Sequence, residues 1–389
     1  MSEGPSANRE IPGQGESSHA PSEGSRSRGQ GSGQGKREIG TQGSPGHEID
    51  WARLQTNTET DGIRTRLDGT LGRIRLDRPK ALNALTLPMV RRLEEVLAEW
   101  RKRDLTAVLI DSTDARAFCA GGDIRAIREN TLAARYAESE EFFATEYRVN
   151  ATLAAYPHPV VALIDGVCMG GGLGLSVHGP FRVVTDAAVF AMPETGIGFF
   201  PDIGASHFLP RLPGAIGMYL GLTGHRVGAA EALEVGLATH YSPAEKAGQI
   251  PELLRERGER SVDEVLRQVA GAPDRPSELA AHRGEIDHCF GAASLAEIRG
   301  RLAASATPWA RDTLATVDRM SPASLAVTFD LLTRGRERSL AECLDAELRA
   351  GRVVTRSADF VEGVRAVLVD KDKSPRWASE YTSDKGVRG

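Results

Sequence analysis

Val160-Val161-Ala162-Leu163-Ile164-Asp165-Gly166-Val167-Cys168-Met169-Gly170-Gly171-Gly172-Leu173-Gly174 runs from an unbroken apolar segment into three consecutive glycines, and this order decides the fold. An apolar run this short and rich in β-branched residues suits a strand buried on both faces. The triple glycine that follows leaves backbone N–H groups uncovered by any Cβ. Because it opens the apolar helical stretch 173–177, it also sets the positive end of a helix behind those donors. The segment is not a dinucleotide fingerprint, since G-x-G-x-x-G is absent and no suitably placed acid follows.

The same order occurs earlier in the chain. Ala107-Val108-Leu109-Ile110 is a second buried run, and Ala117-Phe118-Cys119-Ala120-Gly121-Gly122-Asp123-Ile124 follows it with paired glycines. An isolated Gly-Gly is ordinarily a tight turn and no more. Two glycine loops that follow two strands of one sheet can aim one N–H each at a single carbonyl oxygen, which is the arrangement of an oxyanion hole.

Working outward, the folded part begins near Gly62, with a strand marked by Leu71, Ile74 and Leu76 that ends at the turn signal Asp77-Arg78-Pro79. A helix is expected after Thr86, with Pro88 in its first turn and Met89, Leu93, Val96, Leu97 and Trp100 on one face. Strands alternating with helices predict an α/β core over residues 62–210. Beyond Pro210 helical patterns take over at 229–235, 295–304, 324–333 and 340–349, with one strand signal at 237–241. A mainly helical part is therefore expected over 211–380.

The chain has 389 residues, 40% of them hydrophobic, enough for one large core with an appended subdomain. Residues 1–48 are rich in Gly, Ser, Gln, Arg and Glu, a composition that cannot offset its ordering entropy, so a disordered tail is expected there. Glu3, Glu10, Glu16 and Glu23 contradict the acid-poor pattern of a mitochondrial presequence. A net charge of −5 gives no reason to expect nucleic acid as a partner. No apolar run reaches the length that spans a bilayer, no apolar export signal opens the chain, and Cys119, Cys168, Cys289 and Cys343 form no C-x-x-C pair. Together these features predict a cytoplasmic protein with reduced thiols and no membrane partner.

Two acids lie in an apolar, Gly/Pro-shaped segment that runs from Phe190 through Met192, Glu194, Phe199 and Phe200 to Asp202. Desolvation by those neighbours should raise the carboxyl pKa values and suit them to proton transfer. Asp202 also reads as an N-cap for a helix beginning at Ile203-Gly204-Ala205. No G-x-S-x-G elbow is present, because Ser176 and His178 stand at the wrong spacing, and no histidine pair has metal-ligand spacing with a nearby acid.

Residues 117–127, 162–186, 190–212, 221–226, 236–241, 321–328 and 359–377 together resemble the crotonase (enoyl-CoA hydratase/isomerase) superfamily, and within it the branch that hydrolyses 3-hydroxyisobutyryl-CoA. The resemblance extends over residues 62–380 and implies a crotonase-like spiral of ββα units with a helical C-terminal region. It also implies an oxyanion hole from the amides of Gly122 and Gly171, Glu194 as the catalytic glutamate, Asp202 as the second acid, and Glu146 as a substrate-contacting glutamate. On residues alone Glu146 reads as one more acid on a helix surface.

Enoyl-CoA hydratases carry a second catalytic glutamate two residues after the triple glycine, where this chain has Gly174. The resemblance thus implies hydrolysis of an acyl-CoA thioester to 3-hydroxyisobutyrate and CoA, a step of valine catabolism, with no cofactor beyond the CoA of the substrate. An enoyl-CoA isomerase or hydratase is the nearest alternative, and a non-catalytic crotonase-fold scaffold or RNA-binding protein a remote one. The superfamily often forms trimers and hexamers, so a homo-oligomer is a further expectation.

Overall fold

The structure is a computed structural model and describes residues 62–378; the tail expected over 1–48 lies outside them. Strands β1 (Ile63–Asp68), β2 (Leu71–Leu76), β3 (Ala107–Ser112), β5 (Val160–Ile164), β7 (Phe181–Val184) and β9 (His240–Tyr241) form one sheet in that order. The β1–β2 pair is antiparallel and the remaining pairs are parallel. Strands β4 (Ala117–Cys119), β6 (Val167–Met169) and β8 (Val189–Ala191) form a second, parallel sheet. From β3 onward the chain therefore alternates between the two sheets, one strand to each, and climbs one step with every ββ pair.

The corners between the sheets are tight. Val167 N donates to Arg116 O at 3.0 Å, and Val189 N donates to Gly166 O at 3.1 Å, so successive corners stack on one another. Gly166 has φ +79, and a Cβ there would collide with the Arg116 carbonyl beneath it, so this corner needs glycine.

Alternation along the strands sends side chains into two clusters. Val108, Ile110, Val160, Ala162 and Ile164 join the main core, while Leu109, Val161 and Val183 pack on Ile250, Leu254, Val265 and Leu266 from outside. Both faces of the first sheet are thus covered, as its apolar runs require. Helix α1 (Leu87–Trp100) starts where expected: Thr86 accepts from Met89 N, Pro88 lies in the first turn, and Met89, Val90, Leu93, Val96, Leu97 and Trp100 are buried. Helices α2 (Ile124–Leu132) and α3 (Tyr136–Ala154) follow β4.

The helix expected over 173–177 is much shorter. Helix α4 spans only Gly171–Gly174, because Ser176 Oγ turns back to Gly172 O at 3.0 Å and Leu173 O at 3.2 Å and competes with the helical ladder. Beyond Leu209 helices dominate, Leu295–Ala304, Pro322–Gly335 and Leu340–Val354 among them, and the strand signal at 237–241 narrows to the two residues of β9. All four cysteines are buried and unpaired. Among the described residues no helix is long and apolar enough to cross a membrane.

Candidate active site

The two glycine loops meet. A Cβ built on Gly171 would lie 3.5 Å from the carbonyl carbon of Gly121, the atom bonded to the Gly122 nitrogen. Leu85 pairs with the first loop, its N–H donating to Gly121 O and its carbonyl accepting from Asp123 N, both at 2.8 Å. These bonds pass over Gly122 N and leave it, like Gly171 N at the start of α4, outside the backbone pairing of the described residues. Gly170 supports the second loop with φ +46, a conformation that favours glycine.

The same glycines make room for three polar side chains. A Cβ on Gly170 would come within 2.8 Å of Glu194 Oε1, one on Gly171 would collide with Glu146 Oε1, and one on Gly174 would lie 2.8 Å from Asn150 Nδ2. Glu194 opens a 3-10 turn, Glu194–Ile197, after β8, while Glu146 and Asn150 stand one turn apart on α3. Glu146 is only 2% exposed, which corrects the surface reading. It shares a buried stripe with Phe142, Phe143, Tyr147, Asn150 and Leu153.

Asp202 is no helix cap. The next helix, α5 (Ala205–Phe208), has Gly204 at its N-cap position, and the Asp202 carboxylate instead accepts a 2.7 Å hydrogen bond from Tyr147 Oη. Between them Ile203 is fully buried at φ +56, a strained position for a β-branched residue. Glu347 and His178 hold that turn. The Glu347 carboxylate accepts from Gly204 N at 2.7 Å, Ser206 N at 2.9 Å and Ser206 Oγ at 2.5 Å, and the Ile203 carbonyl accepts from His178 Nε2 at 2.7 Å. Burial pushes His178 down to about 4, so the imidazole is neutral and donates from Nε2.

Sequence reasoning had passed over Tyr147, Asn150 and Glu347. Glu347→Ala should strand three buried donors, at roughly 1–3 kcal/mol for each group left unpaired. The expected result is a lower denaturant midpoint with an unchanged slope; an unshifted midpoint would show that the turn holds itself.

Phe199 and Phe200 stack at 4.4 Å between ring centres, and Phe143 stacks on Phe199 at 5.4 Å, closing an apolar wall beside the acids. The C-terminal helix Ala358–Val364 seals the Glu194 turn at backbone contact, since a Cβ on Gly363 would collide with Ile197 and one on Gly198 with the Asp359 carbonyl. Burial, more than any other cause, holds Glu194 well above the ordinary carboxylate range, with Asp202 adding to it. Glu146 is likewise raised by burial, then by Asp202 and Glu194. Burial pushes Asp202 up to about 7 against the opposing Tyr147 hydrogen bond. Three carboxyls packed this way cannot all be charged at neutral pH.

An unfolded aspartate loses its proton near 3.8 and the folded Asp202 near 7, so the native state holds an extra proton between those values and loses stability as pH rises through them. Asp202→Asn has no charge to bury. Its melting temperature should rise relative to the parent as pH goes from about 5 to about 8, and a constant gap would contradict the assignment.

The model of the enoyl-CoA hydratase/isomerase family matches residues 71–385, and the chain belongs to that family. Among curated relatives, the zebrafish (Danio rerio) protein named "3-hydroxyisobutyryl-CoA hydrolase, mitochondrial" is 44% identical over 317 residues, 79% of this chain and 83% of the relative. The human (Homo sapiens) protein of that name is 41% identical over 335 residues, 83% of this chain and 86% of the relative. Among solved structures, one described as a carnitinyl-CoA dehydratase from Mycobacterium thermoresistibile is 39% identical with a TM-score of 0.75, covering 82% of this chain and 91% of that one. One described as an enoyl-CoA hydratase from Rhodobacter sphaeroides 2.4.1 is 39% identical with a TM-score of 0.72, covering 82% and 92%. The crotonase-like spiral with its helical C-terminal region is therefore the architecture of this chain.

Proposed function

We propose that this protein is an acyl-CoA thioester hydrolase that converts 3-hydroxyisobutyryl-CoA to 3-hydroxyisobutyrate and free CoA. The observation that carries the reading is the set of side chains gathered around the two glycine loops. Glu194 and Asp202 are both present and buried, while the position from which a hydratase would project its second glutamate is Gly174, closed over by Asn150 and Ile203. The zebrafish and human relatives bear the hydrolase name over more than four-fifths of their length. The dehydratase and hydratase descriptions of the solved structures favour the alternative, and Gly174 opposes it.

In the mechanism, the thioester carbonyl sits between the amides of Gly122 and Gly171, whose hydrogen bonds strengthen as the oxygen gains charge. Glu194 either takes a proton from water, so that hydroxide adds to the carbonyl carbon, or adds itself and forms an anhydride that water opens. In both routes the C–S bond breaks, the sulfur leaves as thiolate and takes up a proton, and the acyl group leaves as a carboxylate. Asp202 and Glu146 bind the acyl hydroxyl and fix the chain. The chemistry uses water, the substrate and protein groups alone, so no cofactor is assigned.

The purified chain should release thiol from 3-hydroxyisobutyryl-CoA with saturable kinetics, and absence of release would overturn the reading. A cytosolic location is a further part of the proposal, although the relatives carry mitochondrial names; recovery from an organelle on fractionation of the host would overturn that placement. A homo-oligomer is proposed from the family resemblance, and a monomer by light scattering would refute it.

A further inference from the structure

Asn150 is fully buried on α3, and neither its Nδ2 nor its Oδ1 has a hydrogen-bond partner among the described residues. A carboxamide brings two donors and an acceptor, and leaving it unpaired in the interior is costly. Such a group in a native structure calls for a partner from outside the chain. Its position identifies the place. Asn150 lies one helical turn beyond Glu146, and its Nδ2 is 2.8 Å from where a Cβ on Gly174 would stand. Ile203 Cβ lies 3.1 Å from that same point, and Ile203 follows Asp202 directly. Tyr147, Asn150's neighbour three residues earlier, holds the Asp202 carboxylate.

We propose that the Asn150 carboxamide is a specificity-determining residue that hydrogen-bonds the 3-hydroxyl of the acyl group, an assignment that rests on the hydrolase reading. The chemistry suits that partner better than the acids alone do. A hydroxyl both donates and accepts, and the amide supplies a donor that does not depend on which of the neighbouring carboxyls holds a proton. With Asp202 accepting the hydroxyl proton and Asn150 Nδ2 donating to its oxygen, both capacities are met without adding a charge to a cleft that already holds three carboxyls. The missing side chain at 174 then has a positive use: glycine leaves the amide free to face the substrate. An acyl-CoA without the hydroxyl would leave the amide and the acid unpaired, and this is how a buried polar site rejects an analogue.

The test compares the full-length parent with Asn150→Leu, which keeps the branched shape and the number of heavy atoms and removes the polar ones, and with Asn150→Ser, which is smaller and polar. Two quantities are read: kcat/KM for thiol release from 3-hydroxyisobutyryl-CoA, and the inhibition constant of isobutyryl-CoA, the same acyl group without its hydroxyl. For Asn150→Leu, kcat/KM should fall on the order of 10- to 100-fold, as expected for one hydrogen bond to a buried group, with the inhibition constant unchanged or lowered. Equal weakening of both would mean that Asn150 only supports the cleft, and no weakening would mean that it touches nothing; either result overturns the assignment while leaving the hydrolase intact. If only Asn150→Ser folds, the same pair of readings decides. A parent that releases no thiol overturns the hydrolase reading itself, and this assignment with it.

Discussion

Glu194→Gln loses its hydrolase activity while keeping its fold. The substitution is isosteric, and Glu194 Oε2 has no partner that the amide would forfeit, so the neighbouring side chains need not move. The charged form of Glu194 is disfavoured by burial, and a neutral amide removes that cost. The melting temperature at neutral pH should therefore hold or rise. Turnover should fall on the order of 10²- to 10⁴-fold, the range associated with a positioned acid or base. The two readouts moving in opposite directions would separate catalysis from stability. A variant that still releases thiol at the parent rate would remove Glu194 from the mechanism. In the parent, the acidic limb of the rate profile should lie well above the ordinary carboxylate range, because Glu194 must lose its proton before it can act as base or nucleophile.

Gly171→Ala carries the second large effect. The backbone of Gly171 is not in the left-handed region, so alanine adds no conformational strain and the consequence is local. Its methyl would collide with the Glu146 carboxylate and stand 3.1 Å from Leu85 Cδ1 and 3.5 Å from the Gly121 carbonyl carbon, between the two proposed donors. With the carbonyl oxygen displaced from even one of them, kcat/KM should drop on the order of 10²- to 10³-fold. Circular dichroism and the cooperativity of unfolding should be unchanged. Full activity in this variant would place the oxyanion site elsewhere.

What the sequence revealed of this site depends on how far apart along the chain its parts lie. The glycine loops were legible because an apolar run precedes each, although the strands they directly follow, β4 and β6, are three-residue members of the second sheet that the sequence pattern did not show; Glu194 was legible as an acid in an apolar, Gly/Pro-shaped segment. Asp202 was legible as an acid but ambiguous as a cap, and the ambiguity ends only with Tyr147 Oη, a donor 55 residues away. Asn150 and Glu347 escaped notice, and Glu146 was found only through the family resemblance, because polar residues on helices read as surface when taken one at a time. The signal was nevertheless present: Glu347 follows Cys343 and Leu344 on the buried stripe of its helix, as Glu146 follows Phe142 and Phe143. An acid at apolar helical spacing marks a buried site or a held loop. The four-residue α4 shows the opposite failure, for its apolar pattern continues past Gly174 while Ser176 caps the carbonyls that a longer helix would need.

The central claim, hydrolysis rather than hydration, is tested most directly on one sample of purified chain, with 3-hydroxyisobutyryl-CoA and crotonyl-CoA offered in parallel and free thiol and enoyl absorbance followed together. The account predicts rapid thiol release from the hydroxylated thioester and stable enoyl absorbance from the other, since Gly174 provides no second acid to activate water for addition. Rapid loss of enoyl absorbance without thiol release would contradict it.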